Sequence, residues 1–455
     1  MSWVEALRQL IPDERRVTVN ETVLEQHGRD LTYHRPHRPD VVVFPKDKWE
    51  VQKVLRFANE HRIPVVPFGV GSSLEGHVIP VQGGISLDMT LMNRVLEVRP
   101  QDFLARVEAG VTRSQLNRQL RPYGLFFPVD PGADATFGGM AATNASGTNA
   151  VRYGVMRQQV LGLEVVLADG RIIQTGGMAV KSSAGYHLTG LFVGSEGTLG
   201  VITEVTVRLY GIPEAAVAAR AVFPDETSAG EAAVEMLSSG IAVGKVELVD
   251  AYTVDAVNQF KKTAYEVAPT LFLEFSGPKQ TVLHDVEEAR RVAMQHGCRA
   301  FQQETDQKAR ELLWEARHQA AFAIAATAPG KTLMATDVCV PISLLPEAIR
   351  YARRLIDTHG IHAALFGHVG DGNFHAAFMM DPNDPKDIER AKAVNEQIVR
   401  YALEHGGTCT GEHGIGLGKI QYLAAERGES VAVMKAIKQA LDPNNILNPG
   451  KVLPD

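Results

Sequence analysis

The sequence predicts an α+β protein of two domains, and three observations support that prediction. At 455 residues the chain is longer than one hydrophobic core normally supports. Residues 81–210 are rich in glycine and in short β-type runs such as GGISLDM and GTLGVITEVTVRLY. After about Pro213, longer amphipathic helical patterns alternate with strands such as TLFLEFSG. This second texture is typical of helices packed on one face of an antiparallel sheet.

Local patterns predict individual elements in each half. DVVVFP, KDKWEVQKVLRFANEHR and IPVVPFG follow one another as strand, helix and strand. VTRSQLNRQLRPYG predicts a helix that begins at a Thr/Ser cap region and ends at Gly124. In the second half, ETSAGEAAVEMLSSG, LLPEAIRYARRLIDTHG and IERAKAVNEQIVRYALEHGG predict three amphipathic helices.

Composition limits the classes of function. The net charge of −7 gives no attraction for nucleic acid or for an anionic membrane surface. No apolar run reaches the length of about 20 residues that a membrane span needs, and the N-terminus lacks the apolar region of a signal peptide. Cys298, Cys339 and Cys409 lie far apart without any CxxC pattern, which argues against disulfides, zinc ribbons and iron–sulfur clusters. We therefore expect a cytoplasmic protein.

A glycine-rich segment follows the strand at IPVVPFG. Residues 64–80, PVVPFGVGSSLEGHVIP, offer successive backbone N–H groups and serine hydroxyls to a phosphate. The spacing is not GxGxxG, and the residues after it cannot form the helix that a Rossmann site needs. It is not a P-loop either, because His77 stands where the lysine would be. A phosphate-bearing ligand and an ordinary glycine-rich hairpin both remain open here.

Two further patches of small residues follow. VDPGADATFGGMAATNASGTNAVRYG (129–154) allows close approach of the backbone to a flat ligand, with Asn and Ser as donors. GSEGTLGVITEV (194–205) is a tight turn that leads into a strand. Three such patches in one β-rich region predict an extended dinucleotide lying along it.

Two histidines lie seven positions apart in LFGHVGDGNFHAAF (365–378). The turn formers Gly370–Asn373 would break a helix, so we expect a hairpin with these four residues as its loop. That loop would pair His368 directly with His375, with Cβ atoms about 4.5–5.5 Å apart. Two neutral imidazoles so placed could bind a divalent metal. Two ordinary surface histidines beside a turn are the alternative.

Two other segments contain residues that suit catalysis. GTCTGEHGIG (407–416) holds adjacent Glu412 and His413 among glycines, which let the backbone bend around a bound centre. LLWEARHQAAF (312–322) places Arg317 on a predicted helix, where a guanidinium could bind a carboxylate bidentately. Taken alone, the first is better explained by solvated charges in a loop, and the second by a surface arginine.

These motifs together resemble a known family. PFGVGSSLEGH, VDPGADATFGGMAATNASGTNAVRYG, GSEGTLG, GHVGDGNFH, GTCTGEHGIGLGK and NPGK occur in one order from about residue 38 to the C-terminus. They resemble the D-lactate dehydrogenase and glycolate oxidase D-subunit branch of the FAD-linked oxidases, which are flavoproteins of the vanillyl-alcohol-oxidase type. The resemblance implies a two-part FAD-binding domain of this type, also called the p-cresol methylhydroxylase (PCMH) type, and an α+β cap domain built on an antiparallel sheet.

The resemblance also implies domain limits and cofactor contacts. We expect an N-terminal helical segment (1–35), the FAD-binding domain (36–213), the cap domain with a metal site (214–425) and a C-terminal segment (426–455) that returns to the FAD domain. FAD should be bound non-covalently, because His77 lies outside the usual position of a flavin tether. The expected contacts are Pro67, Gly69, Gly71, Ser72, Ser73, Leu74, Pro131, Gly132, Gly138, Gly139, Thr143, Ser146, Gly147, Glu196, Gly197, Ile202 and Asn448.

The chemistry implied by the resemblance uses both histidine motifs. His368, His375 and Glu412 would bind a divalent metal such as Zn²⁺, Mn²⁺ or Fe²⁺, a donor set suited to a Lewis acid. His413 would be the catalytic base, and Arg317 would hold the substrate carboxylate. The reaction would be the dehydrogenation of a D-2-hydroxy acid, because a hydroxyl polarised by a metal loses its proton more readily.

Two departures from the family pattern bear on the substrate. Relatives that use D-2-hydroxyglutarate carry polar or cationic residues where this chain has Ala335 and Ala377. Alanine cannot offset the burial of a second carboxylate, so we expect D-lactate first and glycolate second. A D-2-hydroxyglutarate-type dehydrogenase, the ether-lipid synthase reaction and a flavin subunit that needs partner chains are the alternatives.

The electron acceptor must be external, because the chain has no iron–sulfur motif. Quinone, a cytochrome, an electron-transfer flavoprotein and an iron–sulfur partner subunit are all open. We expect no nucleic-acid partner and no transmembrane segment, with peripheral association at a membrane only through the acceptor.

Overall fold

The computed structural model describes residues 3–11 and 13–454, and it has the α+β class that the sequence predicts. Met1, Ser2, Pro12 and Asp455 lie outside the described residues, and with them the outermost positions of the predicted segments 1–35 and 426–455. The chain forms two compact units. The first unit comprises Met1–Ser146, Gly154–Ile212 and Glu412–Asp455, and the second comprises Gly147–Tyr153 and Pro213–Gly411.

The helices of the described residues are numbered in chain order. They are α1 (Trp3–Leu10), α2 (Glu21–Gln26), α3 (Lys48–His61), α4 (Arg113–Leu120), α5 (Phe137–Thr143), α6 (Ala150–Tyr153), α7 (Met156–Gln159), α8 (Leu188–Phe192), α9 (Glu226–Ser238), α10 (Ala251–Lys261), α11 (Lys279–Gln295), α12 (Gln307–His318), α13 (Ala320–Ala326), α14 (Leu345–His359), α15 (Pro385–Glu404), α16 (Ile420–Arg427) and α17 (Ser430–Leu441).

The strands are numbered in the same way. They are β1 (Val17–Thr18), β2 (Val41–Val43), β3 (Val65–Phe68), β4 (Ile85–Asp88), β5 (Val95–Arg99), β6 (Leu104–Glu108), β7 (Leu125–Phe126), β8 (Val160–Val166), β9 (Ile172–Gly176), β10 (Val201–Arg208), β11 (Tyr210–Gly211), β12 (Ala215–Val222), β13 (Val243–Val249), β14 (Thr270–Gly277), β15 (Ala300–Glu304), β16 (Thr332–Ala335), β17 (Val338–Cys339), β18 (Ala363–Gly367) and β19 (Asn373–Met380).

The boundaries between the two units differ in part from the expected domain limits. The division between Ile212 and Pro213 adjoins the expected limit at 213–214. The chain re-enters the first unit at Glu412, earlier than the expected 426. The reason is that the backbone N–H groups of Ile415 and Gly416 donate to the carboxylate of Glu196 in the first unit. The short excursion Gly147–Tyr153 into the second unit has no counterpart in the expected division.

The first sheet of the first unit confirms the predicted strand–helix–strand. Its order is β1-β2-β4-β3, in which β4 pairs parallel with β2 and with β3, so α3 connects two strands of the same direction. Asp47 begins α3 by accepting from the N–H groups of Trp49 and Glu50, and Arg62 ends it in the left-handed region. The apolar face of α3 packs into the core of this sheet.

The second sheet of the first unit is antiparallel, with the order β5-β6-β10-β8-β9. The helix predicted in VTRSQLNRQLRPYG is confirmed as α4. The Thr112 side chain caps it by accepting from Gln115 N–H, and after one 3₁₀ turn the chain reverses at Gly124 with φ +68°. α4 and α5 bury apolar residues in the core of this sheet.

The second unit is built on an antiparallel sheet of order β15-β12-β14-β13-β18-β19-β16, with β17 paired to β19. The prediction that helices cover one face of this sheet is wrong. α10, α12 and α13 pack on the face that carries Phe272, Phe366 and Ala377. On the opposite face, side chains such as those of Leu273 and Phe275 are equally buried. The helices α9 and α11 pack against strands β12, β13 and β14. Helices therefore cover both faces of this sheet.

The hairpin predicted around the histidines is present, but its register is not the predicted one. His375 lies opposite Phe366 rather than His368. His368 follows the end of β18 and begins a 3₁₀ turn over Val369–Asp371, which Gly372 ends with φ +81°. The turn tightens into a 3₁₀ helix because the Val369 side chain is fully buried, and this places the reversal before Asn373. The two imidazole centroids are nevertheless 5.9 Å apart and perpendicular.

Gly372 provides a stability test of this turn, with Gly360 as its matched control. Both glycines have positive φ, but a Cβ at Gly372 would lie 2.2 Å from the Val340 carbonyl oxygen, whereas a Cβ at Gly360 would have no neighbour within 4 Å. Gly360→Ala should lower the stability by about 1–2 kcal/mol from left-handed strain alone. Gly372→Ala should lose more, because a backbone oxygen must also move. Thermal melting compares the two, and equal losses would contradict the close approach.

Candidate functional site

The glycine-rich loop after β3 is shaped by close contacts that exclude side chains. A Cβ on Gly69 would lie 2.5 Å from Thr136 Oγ1, and one on Gly71 would lie 2.7 Å from the Phe68 ring. Gly71 and Gly76 also have φ of +68° and +76°. The loop therefore needs glycine at these positions, and it leaves its backbone accessible to a ligand.

Two buried serine hydroxyls in the first unit support a ligand there. Ser73 Oγ and Ser195 Oγ are both buried, and neither has a hydrogen-bond partner among the described residues. Buried hydroxyls are normally satisfied, so two unsatisfied donors in two of the predicted loops indicate a missing polar partner. A pyrophosphate or a flavin ring would supply one.

The remaining predicted cofactor residues of the first unit lie in three segments. The helix α5 carries Gly138, Gly139 and Thr143, and its first turn is capped by Thr136. A Cβ on Gly132, in the loop before α5, would meet no atom within 4 Å, whereas one on Gly138 would lie 2.7 Å from Ala109 Cβ. The other predicted contacts, placed on β3, in its loop, around α5 and on β10, are Pro67, Ser72, Leu74, Pro131, Ser146 and Ile202, with Gly147 beginning the second unit.

Glu196 organises several of these loops from a buried position. Its carboxylate accepts from the N–H groups of Ile415 (2.7 Å) and Gly416 (2.8 Å) and lies 3.1 Å from His77 Nε2. Burial would raise the pKa of Glu196, but the charge and hydrogen bond of His77 and the two N–H donors outweigh it and lower that pKa. Because this carboxylate is committed to protein partners, only the backbone of Glu196 is left for a cofactor.

His77 is the other half of this pair. Burial would lower the pKa of His77, but the Glu196 charge outweighs it and raises that pKa. The imidazole is thus an internal ion-pair partner, which fits the expectation that it is not a flavin tether.

Asn448 and Lys451 bring the C-terminal segment to the same loops. Asn448 Nδ2 donates to the carbonyl oxygens of His77 (3.1 Å) and Glu196 (2.8 Å). Lys451 Nζ donates to Ile79 O (2.6 Å) and to Asn448 Oδ1 (3.2 Å). Glu196 and Asn448 both have left-handed backbones, and Gly197 follows with φ +71°. Backbone strain of this kind persists only where the surroundings fix it.

In the second unit, both predicted metal histidines are oriented by an oxygen at Nδ1. His368 Nδ1 lies 2.7 Å from Glu247 Oε1, and His375 Nδ1 lies 3.0 Å from the Thr336 carbonyl oxygen. An oxygen acceptor at Nδ1 places the proton on that atom and the lone pair on Nε2. This is the arrangement in which histidines ligate metals, so the donor set fits a divalent ion.

Arg317 lies on the same sheet face as these histidines. Its side chain is buried, its Nη2 donates to Glu247 Oε2 at 2.6 Å, and its guanidinium lies 5.4 Å from the Phe366 ring centre. Phe366 is the residue paired with His375. Arg317 Nε is buried without a hydrogen-bond partner among the described residues, so a donor remains for an anion. Because Arg317 is buried, the alternative that it is an ordinary surface arginine is excluded.

Two acidic residues of the second unit were missed in the sequence. Glu247 joins His368 to Arg317, and Asp337 lies 3.7 Å from His375 Nδ1. Asp337 also accepts from Asn373 Nδ2 and Thr410 Oγ1, and its carbonyl accepts from Gly411 N–H. Both could have been found in the sequence as an acidic residue inside an apolar β-type run, which is VELV for Glu247 and TDVCV for Asp337.

Glu412 and His413 belong to the first unit. His413 Nε2 lies 4.0 Å from Glu412 Oε1, and His413 Nδ1 lies 3.9 Å from Glu75 Oε1. Glu75, also missed in the sequence, is buried and paired with Lys419 Nζ at 2.9 Å. Burial would raise the pKa of Glu75, but the Lys419 charge outweighs it and lowers that pKa, so the carboxylate near His413 is ionised.

Ala335 and Ala377 are directly paired across β16 and β19. Ala377 also shares its strand face with His375, two residues before it. This face therefore presents methyl groups next to one of the predicted metal ligands.

The first unit has glycine-shaped loops with two unsatisfied buried hydroxyls, and the second has a buried arginine and two oriented histidines. This arrangement is compatible with a cofactor-dependent enzyme that acts on an anionic substrate, and comparison with known proteins identifies the class. The family profile described as "FAD linked oxidases, C-terminal domain" matches residues 212–452, and "FAD binding domain" matches residues 39–176. The chain belongs to the FAD-linked oxidase family, and the resemblance stated from its motifs is confirmed.

Named relatives come from the same branch. "Probable D-lactate dehydrogenase, mitochondrial" of Danio rerio is 48% identical over 99% of this chain and 91% of its own length. "D-lactate dehydrogenase [cytochrome], mitochondrial" of Arabidopsis thaliana is 42% identical over 99% and 80%. "Glycolate oxidase subunit GlcD" of Bacillus subtilis (strain 168) is 36% identical over 94% and 91%.

Solved structures share the fold. p-Cresol methylhydroxylase with substrate bound has a TM-score of 0.80 at 21% identity, over 99% of this chain and 96% of its own. Alkyldihydroxyacetonephosphate synthase has a TM-score of 0.74 at 20% identity, over 99% and 85%. The predicted PCMH-type fold is therefore confirmed.

None of the helices in residues 3–11 and 13–454 is both long enough and apolar enough to span a membrane. Two relatives have mitochondrial names, so the cytoplasmic location stays a prediction.

Lys451 gives the first unit a pH-dependent stability. Burial lowers the pKa of Lys451 from its ordinary 10.5 to about 8, although the charges of Glu196 and Asp30 oppose this. Between about pH 8 and 10.5 the unfolded chain holds the proton and the folded chain does not, so stability rises with pH by roughly 3 kcal/mol in total. Below pH 8 both states are protonated and the full cost of burial is present.

We therefore expect the melting temperature of the wild type to rise, relative to Lys451→Met, as pH increases from 8 to 10. The variant lacks the ionisable group, so the difference should be flat below pH 8. Lys181→Met, at an exposed position of the same unit, should show no such trend. A constant difference between wild type and Lys451→Met from pH 7 to 10 would contradict the shifted pKa.

Proposed function

We propose that the chain is an FAD-dependent dehydrogenase that oxidises a small D-2-hydroxy acid, D-lactate to pyruvate first and glycolate to glyoxylate next. One observation carries the proposal: Arg317, His368 and His375 lie together on one face of the sheet of the second unit, joined through Glu247. The names of the Danio rerio, Arabidopsis thaliana and Bacillus subtilis relatives agree with this class of substrate.

Arg317 binds the substrate carboxylate in this proposal. It is buried, its guanidinium offers planar donors that match a carboxylate, and its Nε has no partner among the described residues. A charge-assisted hydrogen bond from this donor fixes one end of the substrate and thus which hydrogen of C2 is presented. Bound FAD supplies the hydride acceptor.

His413 accepts the proton of the substrate hydroxyl. It lies among Gly411, Gly414 and Gly416, which lets the backbone curve tightly, and Glu75 lies 3.9 Å from its Nδ1. The ionised Glu75 favours the protonated imidazole that forms when His413 takes up the proton.

His368, His375 and Glu412 are the proposed ligands of a divalent ion. The Nδ1 contacts of both histidines place the lone pair on Nε2, the atom that would coordinate the ion, and Glu412 follows Gly411, whose N–H donates to Asp337 O at 2.7 Å. A bound Zn²⁺, Mn²⁺ or Fe²⁺ supplies a Lewis acid that lowers the pKa of the substrate hydroxyl.

The alanine pair limits the substrate to a short monocarboxylate. Ala377 is fully buried and Ala335 lies opposite it, so this part of the face offers no charge or hydrogen-bond donor from either side chain. A second carboxylate next to it would be desolvated without compensation. A D-2-hydroxyglutarate-type substrate is disfavoured for this reason.

FAD is held non-covalently by the loops of the first unit in this proposal. Ser73 and Ser195 would donate to it, and the glycines of residues 69–76 and 132–139 would allow its approach. Acid denaturation should release all flavin into solution as FAD. Colour that stays on the precipitated polypeptide would contradict this.

A flavin subunit of a multi-subunit glycolate oxidase is the second candidate, and the name of the Bacillus subtilis relative favours it. The electron acceptor would then be an iron–sulfur partner rather than a quinone, a cytochrome or an electron-transfer flavoprotein. Activity of the purified single chain with D-lactate and an artificial dye separates the two candidates. Activity only after partner chains are added would favour the second.

Loss of a metal ligand should abolish turnover and leave flavin binding intact. In His375→Ala, the rate should fall by more than the roughly 10–100-fold that loss of an outer-shell partner causes. Flavin content should stay equal to wild type, since the flavin loops lie in the first unit. His405→Ala, at an exposed histidine at the end of α15, is the matched control. A chelator-stripped protein that oxidises D-lactate at the full rate would rule out the metal.

Arg317 and His413 should fail in different ways. Arg317→Lys keeps a charge but loses the planar fork, so kcat/KM should fall about ten- to hundredfold, mainly through a higher KM. His413→Ala should slow flavin reduction by about 10²–10⁴-fold with little change in affinity. Single-turnover flavin bleaching separates these effects, and Arg310→Lys, at a half-buried arginine on the same helix, is the control.

Two outcomes would contradict the assignment of roles. His413→Ala that bleaches its flavin as fast as wild type at saturating D-lactate would remove His413 as the base. Arg317→Lys with an unchanged KM and rate would remove Arg317 from carboxylate binding.

A further inference from the structure

Glu247 is an acidic residue at the centre of the sheet of the second unit. It lies on β13 between β14 and β18, its side chain is 1% exposed, and its strand neighbours Val246 and Leu248 are buried apolar residues. A carboxylate so deeply buried is retained only where its charge is paired and hydrogen-bonded.

The two oxygens of Glu247 have different partners. Oε1 lies 2.7 Å from His368 Nδ1, in the turn after β18, and Oε2 accepts from Arg317 Nη2 at 2.6 Å, on α12. One carboxylate therefore contacts both the proposed metal ligand and the proposed substrate-binding arginine. These partners are 121 and 70 positions away in the sequence.

We infer that Glu247 is a positioning residue that couples metal binding to substrate binding. At His368 it fixes the Nδ1–H tautomer, which presents the Nε2 lone pair to a metal. At Arg317 it accepts from Nη2 and so fixes the plane of the guanidinium. The orientation of the remaining donors follows from that plane, including that of Nε, which has no partner among the described residues. The inference rests on the proposed function for the identity of these two ligands.

A purely structural role for Glu247 is the alternative, and the same unit offers a matched control. Asp250 follows β13, is 1% exposed, and pairs with Arg353 Nη2 at 2.5 Å. Its carboxylate also accepts from the N–H groups of Thr253 and Leu365. Asp250 thus has the same burial and the same kind of partner as Glu247, but it bonds to Arg353, Thr253 and Leu365 rather than to His368 and Arg317.

The test measures two binding events in flavin-loaded protein. Zn²⁺ affinity of chelator-stripped protein is measured by competition with a chromophoric chelator. Carboxylate affinity is measured with 2-hydroxyisobutyrate, a 2-hydroxy acid that has no hydrogen on C2 and cannot be oxidised, through its perturbation of the flavin spectrum. Neither readout depends on turnover.

Glu247→Gln should weaken Zn²⁺ binding by about 10–100-fold, as expected for the loss of a carboxylate that orients a metal-binding histidine. It should also weaken 2-hydroxyisobutyrate binding about tenfold, because a neutral amide no longer pairs with the guanidinium. Asp250→Asn should change both affinities by no more than about twofold. If Glu247→Gln does not fold, Glu247→Asp retracts the carboxylate and takes its place in both measurements.

The inference is overturned if Glu247→Gln binds both probes as wild type does, or if Asp250→Asn loses them equally. His368→Ala and Arg317→Lys, measured in parallel, separate this failure from failure of the proposed function. If these two variants lose Zn²⁺ and 2-hydroxyisobutyrate respectively while Glu247→Gln does not, only the positioning role fails. If they keep both, the proposed function fails.

Discussion

A buried negative charge in the middle of an apolar sheet is the constraint on which the site of the second unit depends. A carboxylate at that depth needs a hydrogen-bond donor on each oxygen, and His368 and Arg317 supply them to Glu247. Meeting this requirement brings a turn and a helix from distant parts of the sequence to one sheet face. The positions of His368, proposed as a metal ligand, and of Arg317, proposed to bind the substrate carboxylate, are thus linked through one buried carboxylate.

The first unit uses the same principle in its loops. Glu196 is buried, and it is satisfied by His77 and by two backbone N–H groups of the segment that re-enters this unit after Gly411. Asn448 adds a connection from the C-terminal segment through two carbonyl oxygens. These contacts hold glycine-rich loops in place, and loops with so few side chains of their own could not be held by apolar packing alone.

The sequence was sufficient where local chemistry decides the structure. The Thr112 cap and the Gly124 reversal follow from capping rules that act over a few residues, and the helix in KDKWEVQKVLRFANEHR follows from its periodicity; all three are confirmed. The family motifs also predicted the fold and the class of protein, because each motif is a continuous segment that can be read directly from the sequence. The proposed roles of the site residues have not been tested and stay predictions.

Long-range packing decided the rest. The pairing of His375 with Phe366 depends on the burial of Val369 and on the Val340 carbonyl next to Gly372, neither of which is visible in a turn signal. Glu247 could not be assigned from the sequence, because its two partners lie 121 and 70 positions away. Helices on both faces of the sheet escaped prediction because a buried strand shows no alternation.

The most direct test of the account is the position of a bound metal. Crystals of the protein loaded with Zn²⁺ give an anomalous difference peak at the zinc absorption edge. We expect one peak about 2.0–2.1 Å from the Nε2 atoms of both His368 and His375, with Glu412 as a carboxylate ligand. A peak at Nδ1 of either histidine, or only at histidines elsewhere in the chain, would contradict it.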